Sequence, residues 1–159
     1  MIQLNILGID YEVVPGVSSF QAAAAALRTE LTAPEISQTI ILTRTSGRTP
    51  LPDEQSLDKL AQARATLCIF LSIHKIQEVA DTLAAYYGLD CPAAIVHRAS
   101  WPDQRIFEGA LADIAGKIEA AGITSTAMII VGRALASNTP ASKLYDSAFS
   151  HGFREACPE

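Results

Sequence analysis

Apolar and polar positions along this chain follow two different periods, and they do so in turn. Residues 36–43 (ISQTIILT), 66–71 (TLCIFL), 93–96 and 126–131 (TAMIIV) are short β-branched or apolar runs bounded by turn formers, which reads as buried strands. Residues 105–109 (RIFEG) read as a further strand, and residues 11–14 as a short β-type run halted by Pro15-Gly16. Helical spacing fills the intervals. Ile73, Ile76, Val79, Ala80, Leu83 and Tyr87 recur every three or four positions, which predicts an amphipathic helix with Ser72 as its N-cap and Gly88 as its stop. Asp53 caps a predicted helix over residues 54–62, and residues 111–121 make another that ends at Gly122. Ser18 or Ser19 caps a helix through the alanine run of residues 22–26.

Strands that alternate with helices predict an α/β domain with a mixed β-sheet of about five strands flanked by helices. The sheet is mixed because the RASWPD loop before residues 105–109 is too short for a helical crossover, so that pair must be antiparallel. No internal repeat appears. Beyond Ala136 the pattern fades into a polar tail carrying Tyr145, Phe149 and Phe153.

Composition narrows the class. Hydrophobic residues make up 49% and charged residues 18% of the 159 positions, against a usual charged share of about 25%, which excludes a disordered chain. The longest apolar runs, residues 22–27 and 127–131, are far too short to cross a bilayer. Net charge is −5 and the pI about 5.1, so no broad basic surface for nucleic acid is expected. Cys68, Cys91 and Cys157 are odd in number and widely spaced, which gives neither a disulfide framework nor a metal site. No basic-then-apolar leader opens the chain, and the reading is a soluble cytoplasmic domain. The low charge also implies apolar surface covered by something else, either a second copy or a neighbouring domain.

Local chemistry offers three candidate segments. The PGVSSF turn can bring backbone N–H groups and the Ser18 and Ser19 hydroxyls to a polar ligand at a helix start. Arg44 and Arg48, in the RTSGRTP loop, suit carboxylate or phosphate binding. Trp101 sits in a loop after a strand, where binding residues collect, although packing against the core is the stronger expectation for it. His74, His97 and His151 lie on separate elements and read as surface or half-buried histidines. Cys68 reads as a core residue and Cys157 as exposed.

Taken in order, VVPGVSSF, TIILTRTSGRTPLP, IFLS, AAIVHRASWPDQ with RIFEGAL, and AMIIVG resemble the tetrapyrrole (corrin/porphyrin) methylase family. The likeness runs from Tyr11 to about Gly132 and corresponds to the C-terminal domain of that fold. PGVSSF, the RTP loop, ASWPDQ and the tail KLYDSAFSHGFR resemble the subgroup that methylates carbon 11 of a corrin-ring precursor in cobalamin biosynthesis. The resemblance implies S-adenosyl-L-methionine (SAM) as methyl donor in a cleft between two domains and an anionic tetrapyrrole substrate beside it. The low charge content favours a homodimer, and neither nucleic acid nor a membrane is expected as a partner. Carried over by motif, Ser18 and Ser19 would contact SAM, and Leu71, Ala99 and Ala127 would line its adenosine pocket, largely through backbone atoms. Arg44 and Arg48 are candidates for substrate carboxylates on charge alone. No residue stands out as a general base.

Family enzymes carry an N-terminal domain with a Gly-rich loop and a GDP-containing motif before VVPGVSS. The expected organisation is therefore a remnant of that domain and its linker at residues 1–20, the C-terminal methylase domain at 21–136, and the tail at 137–159. A truncated fragment of this kind would hold an incomplete SAM site and be inactive alone. The alternatives are another tetrapyrrole or RNA methylase, or a non-catalytic dimerisation or ligand-binding module on the same fold.

Overall fold

The run richest in buried β-branched residues becomes the middle of the sheet. In the computed structural model, which describes residues 1–47, 49–137, 139–140, 148–150, 152 and 155, two helices come first: α1 (Ile2–Ile6) and α2 (Ser19–Leu27). There follow β1 (Ile40–Arg44), α3 (Leu57–Ala61), β2 (Thr66–Phe70), α4 (Ile76–Tyr87), β3 (Pro92–His97), β4 (Arg105–Ala110), α5 (Ile114–Ala120) and β5 (Ala127–Val131). The five strands form one sheet in the order β1-β2-β5-β3-β4. β1 and β2 are parallel, and each remaining neighbouring pair is antiparallel. The mixed sheet and the antiparallel β3–β4 pair are as the spacing predicts.

Side chains alternate across the sheet and meet a different layer on each face. Ile129 and Val131 of β5 join Leu67, Ile69, Ala93 and Ile95 beneath Val79, Leu83, Ile114 and Ile118 of α4 and α5. On the other face Met128 and Ile130 join Cys68 and Val96 beneath Phe20, Ala23 and Leu27 of α2. Burial pushes the Cys68 thiol up to about 12, so it behaves as the small core residue expected. Tyr87 ties α4 to the start of β2, its hydroxyl donating to the Ala65 carbonyl at 2.6 Å. Arg133 grips both carboxylate oxygens of Asp90, at 2.8 and 2.9 Å, and the Tyr87 carbonyl at 2.9 Å.

Several predicted boundaries move, for local reasons. Residues 11–14 are not a strand: β-type side chains need a ladder partner, and these have none among the described residues. Residues 2–6 form α1 instead, without burying a side chain. Ile2, Ile6, Leu7, Ile9, Val13, Val14 and Val17 are all more than half exposed, matching the apolar surface that composition implies. The strand predicted from residue 36 starts at Ile40, because Ala33 and Ser37 exchange backbone hydrogen bonds in a local turn. The helix predicted from residue 54 divides into a 3-10 turn at Asp53–Gln55 and α3. Ser72 caps only a 3-10 turn at Ile73–Lys75, because its hydroxyl donates to the Phe70 carbonyl at 2.7 Å. The helix predicted from residue 111 begins at Ile114, since the Asp113 carboxylate takes the Ala110 N–H at 2.9 Å and the Leu111 N–H goes to Cys91 at 2.9 Å.

Ile129 is wholly buried in the central strand, whereas Leu42 on edge strand β1 is 51% exposed. Ile129→Ala should cost about 3–4 kcal/mol in urea unfolding, and Leu42→Ala about 0.5 kcal/mol or less. Equal costs would show that the sheet centre is elsewhere.

Candidate functional site

The strand directions decide what meets at one end of the sheet. β1, β2 and β3 share a direction, so their carboxyl ends, Arg44, Phe70 and His97, lie at the same edge as the amino ends of the opposed β5 and β4, Ala127 and Arg105. A cavity of about 320 Å³ opens there, bordered by Ser19 from α2, Leu71 after β2, Ala99 after β3 and Ala127 of β5. Four of the five residues that the family resemblance assigns to SAM thus come from four separate elements to one cavity. The fifth, Ser18, is the half-buried N-cap of α2 and does not border it; its backbone N–H donates to the Gln21 side chain at 3.1 Å in a capping box.

Register shows how the cavity is kept open. The β2–β5 ladder runs from Leu67↔Val131 to Ile69↔Ile129 and stops. Leu71, which would oppose Ala127 two pairs further on, instead turns out with φ +54 and is 80% exposed. On the other side of β5, the Arg98 N–H donates to the Thr126 carbonyl at 2.9 Å, which makes Arg98 and Thr126 a bonded antiparallel pair. Alternation then directs the N–H and C=O of Ala127 away from β3, into the gap that Leu71 has left. A nucleobase edge could pair with that donor and acceptor.

Backbone strain gathers around this opening. Leu71, Arg98, Ser100 and Thr126 all have φ between +50 and +67, four of the chain's seven described non-glycine residues with positive φ. The left-handed region is costly for a β-branched residue such as Thr126. The loop after β3 is braced by its own side chains. Arg98 pairs with the Asp103 carboxylate, and its guanidinium lies 5.6 Å from the Trp101 ring centre. Gln104 accepts the Ser100 N–H at 2.8 Å. Trp101 does not pack into the core as the sequence suggests; it is 58% exposed and borders the cavity.

The remaining candidates separate. Arg44 does not border the cavity; its guanidinium donates to the carbonyls of Thr45, Thr49 and Pro50 at 3.3, 3.0 and 3.3 Å, folding its own loop. That loop is anchored at Thr45, whose N–H and hydroxyl both donate to the buried Ser72 hydroxyl, at 2.8 and 2.9 Å. Arg48, His151, Cys157, Tyr145 and Phe153 lie outside the described residues. His74, exposed as the sequence suggests, and the hydroxyl run Thr124, Ser125 and Thr126, to which the sequence assigned no site role, all border the cavity. Hydroxyls ahead of a strand were the available signal.

The sequence profile of the tetrapyrrole (corrin/porphyrin) methylases matches residues 2–115. This chain belongs to that family. Precorrin-4 C(11)-methyltransferase of Pseudomonas aeruginosa is 48% identical over 152 residues, 95% of this chain and 61% of the relative. The X-ray structure of a cobalamin biosynthetic enzyme, cobalt-precorrin-4 methyltransferase, matches with a TM-score of 0.81 at 40% identity, over 85% of this chain and 57% of the other. A uroporphyrin-III C-methyltransferase from Thermus thermophilus, complexed with S-adenosyl homocysteine, matches with a TM-score of 0.65 at 26% identity, over 84% and 57%. The chain therefore spans less than two thirds of the length of these relatives. Among the described residues no carboxylate, lysine or cysteine borders the cavity, and no cluster of metal-ligating side chains is present.

Next to Ala127 on β3, desolvation holds His97 below the ordinary imidazole value of 6.5, with Arg98 and Arg105 reinforcing and Asp103 opposing. Its Nδ1 is buried without a partner. An unfolded chain therefore binds more protons than the folded one as pH falls below 6.5, and the His97 contribution is complete above that value and declines beneath it. Calorimetric melting should show a lower Tm at pH 5.5 than at pH 7.5, and His97→Asn should shrink the difference. An unchanged difference in the variant would contradict this placement of His97. Asp90 and Asp113, held below the ordinary carboxylate value by Arg133 and Lys117, act in a lower pH window.

Proposed function

We propose that the cavity is the adenosyl end of an S-adenosyl-L-methionine site, and that the whole protein methylates ring carbon 11 of precorrin-4 or cobalt-precorrin-4 in cobalamin biosynthesis. The observation that carries the first part is the convergence of Ser19, Leu71, Ala99 and Ala127 on one cavity at the strand ends. The second part is supported by the 48% and 40% identities to precorrin-4 and cobalt-precorrin-4 methyltransferases. Bound SAM supplies a methyl group activated on sulfonium for direct transfer to a nucleophilic carbon.

This chain's residues bind and orient. The outward N–H of Ala127 complements the ring nitrogen of adenine that accepts a hydrogen bond, and its C=O complements the exocyclic amine. Small side chains at Ala99 and Ala127 let a flat base reach that backbone edge. Ser19 stands at the first turn of α2, where N–H groups and a hydroxyl meet polar parts of the ligand. A volume of about 320 Å³ lies at the small end of the range of ligand pockets, about 300–1,000 Å³, and suits a nucleoside better than a macrocycle. Exposed Leu42 and Ile40 on edge strand β1 favour self-association. Sedimentation should find a dimer at micromolar concentration, and a clean monomer would contradict that part.

The direct test of the cofactor reading is S-adenosylhomocysteine (SAH) binding to this chain by saturation-transfer NMR. A dissociation constant of about 1 mM is expected, roughly 4 kcal/mol of binding, because the cavity contacts only one end of the ligand. Ala99→Trp should fill the cavity and abolish the signal. Unchanged binding in that variant would put the ligand elsewhere.

A further inference from the structure

We propose that Trp101 is a ligand-binding residue, the rigid wall against which the base of the bound nucleoside stacks; this rests on the cofactor reading above. The indole borders the cavity yet is 58% exposed, so burial in the core does not explain it. Burying a tryptophan is among the largest apolar gains open to a folding chain, and this loop forgoes most of it. The loop is fixed all the same. Arg98, at φ +50, pairs with Asp103 and lies over the ring, and Gln104 binds the Ser100 N–H. Two further backbone bonds, Trp101 N–H to Arg98 carbonyl at 3.0 Å and Gln104 N–H to Trp101 carbonyl at 3.1 Å, close the turn. An exposed aromatic ring on a loop braced in this way is organised before anything binds.

A flat aromatic group suits this ring. Ala127 holds the edge of such a group through its N–H and C=O, while Trp101 takes its face. Edge and face recognition together define a purine more tightly than either does alone. Stacking of a base on an aromatic side chain is lost on truncation to alanine with an effect of about tenfold or more in affinity.

Trp101 is the sole tryptophan of the chain, so intrinsic emission reports this position alone. Titration of the unmodified protein with SAH should shift or quench that emission along the binding curve seen by saturation-transfer NMR. Trp101→Ala should raise the dissociation constant about tenfold, and Trp101→Phe, which keeps a ring, should recover most of the loss. If SAH binds but the emission stays flat, or if Trp101→Ala binds as tightly as the parent, the stacking role is overturned and the cofactor reading stands. If the unmodified chain does not bind SAH at all, both fall. Should Trp101→Ala fail to fold, the emission titration and the phenylalanine variant decide the matter.

Discussion

The cavity depends on one strand running against its neighbours. β5 lies antiparallel between β2 and β3, which themselves point the same way. An antiparallel insert presents its amino end where its neighbours present their carboxyl ends. Two strand exits, Leu71 and Arg98, and one strand entry, Thr126, therefore crowd the same edge. Each must turn sharply, and all three do so with positive φ. A wholly parallel sheet would have placed the start of β5 at the far edge and left Ala127 remote from Leu71 and Ala99.

Those turns carry a cost. A non-glycine residue in the left-handed region is destabilised by roughly 1–2 kcal/mol, and the cost is highest for a branched side chain such as Thr126. The core beneath offsets it, since Leu67, Ile69, Ile95, Ile129 and Ile130 are completely buried a few residues away. Stiffness in the strands and strain at their ends act together: the first holds those ends in place and the second turns the Ala127 backbone edge toward an open gap. The braced loop around Trp101 extends the same arrangement outward. The cavity is lined by large side chains such as Phe70, Ile73, Trp101 and Met128 together with small ones such as Ala99 and Ala127.

That composition also sets what the sequence could reveal. The α/β class, the five strands and the antiparallel β3–β4 pair were legible because TLCIFL and TAMIIV are unbroken apolar runs and the RASWPD loop is too short for a crossover. The convergence of Ser19, Leu71, Ala99 and Ala127 was reachable only through family likeness, since alanine and leucine carry no chemical signature of their own. The exposed state of Trp101 was not legible. It depends on Arg98 and Gln104 bracing the loop, a tertiary outcome that hydropathy reads backwards. Arg44 misled for the opposite reason: a loop arginine looks free, but its guanidinium meets three carbonyls of its own loop. Residues 11–14 show the limit of β propensity, which describes a strand only where another strand lies alongside.

The central claim is that a broken ladder at Ala127 forms a nucleoside-binding edge, and amide-resolved NMR of the chain during SAH titration tests it most directly. The largest shift changes should fall on the amides of Leu71, Ala99 and Ala127, with the Ala127 amide moving downfield as it gains an acceptor. Shift changes concentrated away from these strand ends, or an Ala127 amide that stays still at saturating ligand, would contradict the account.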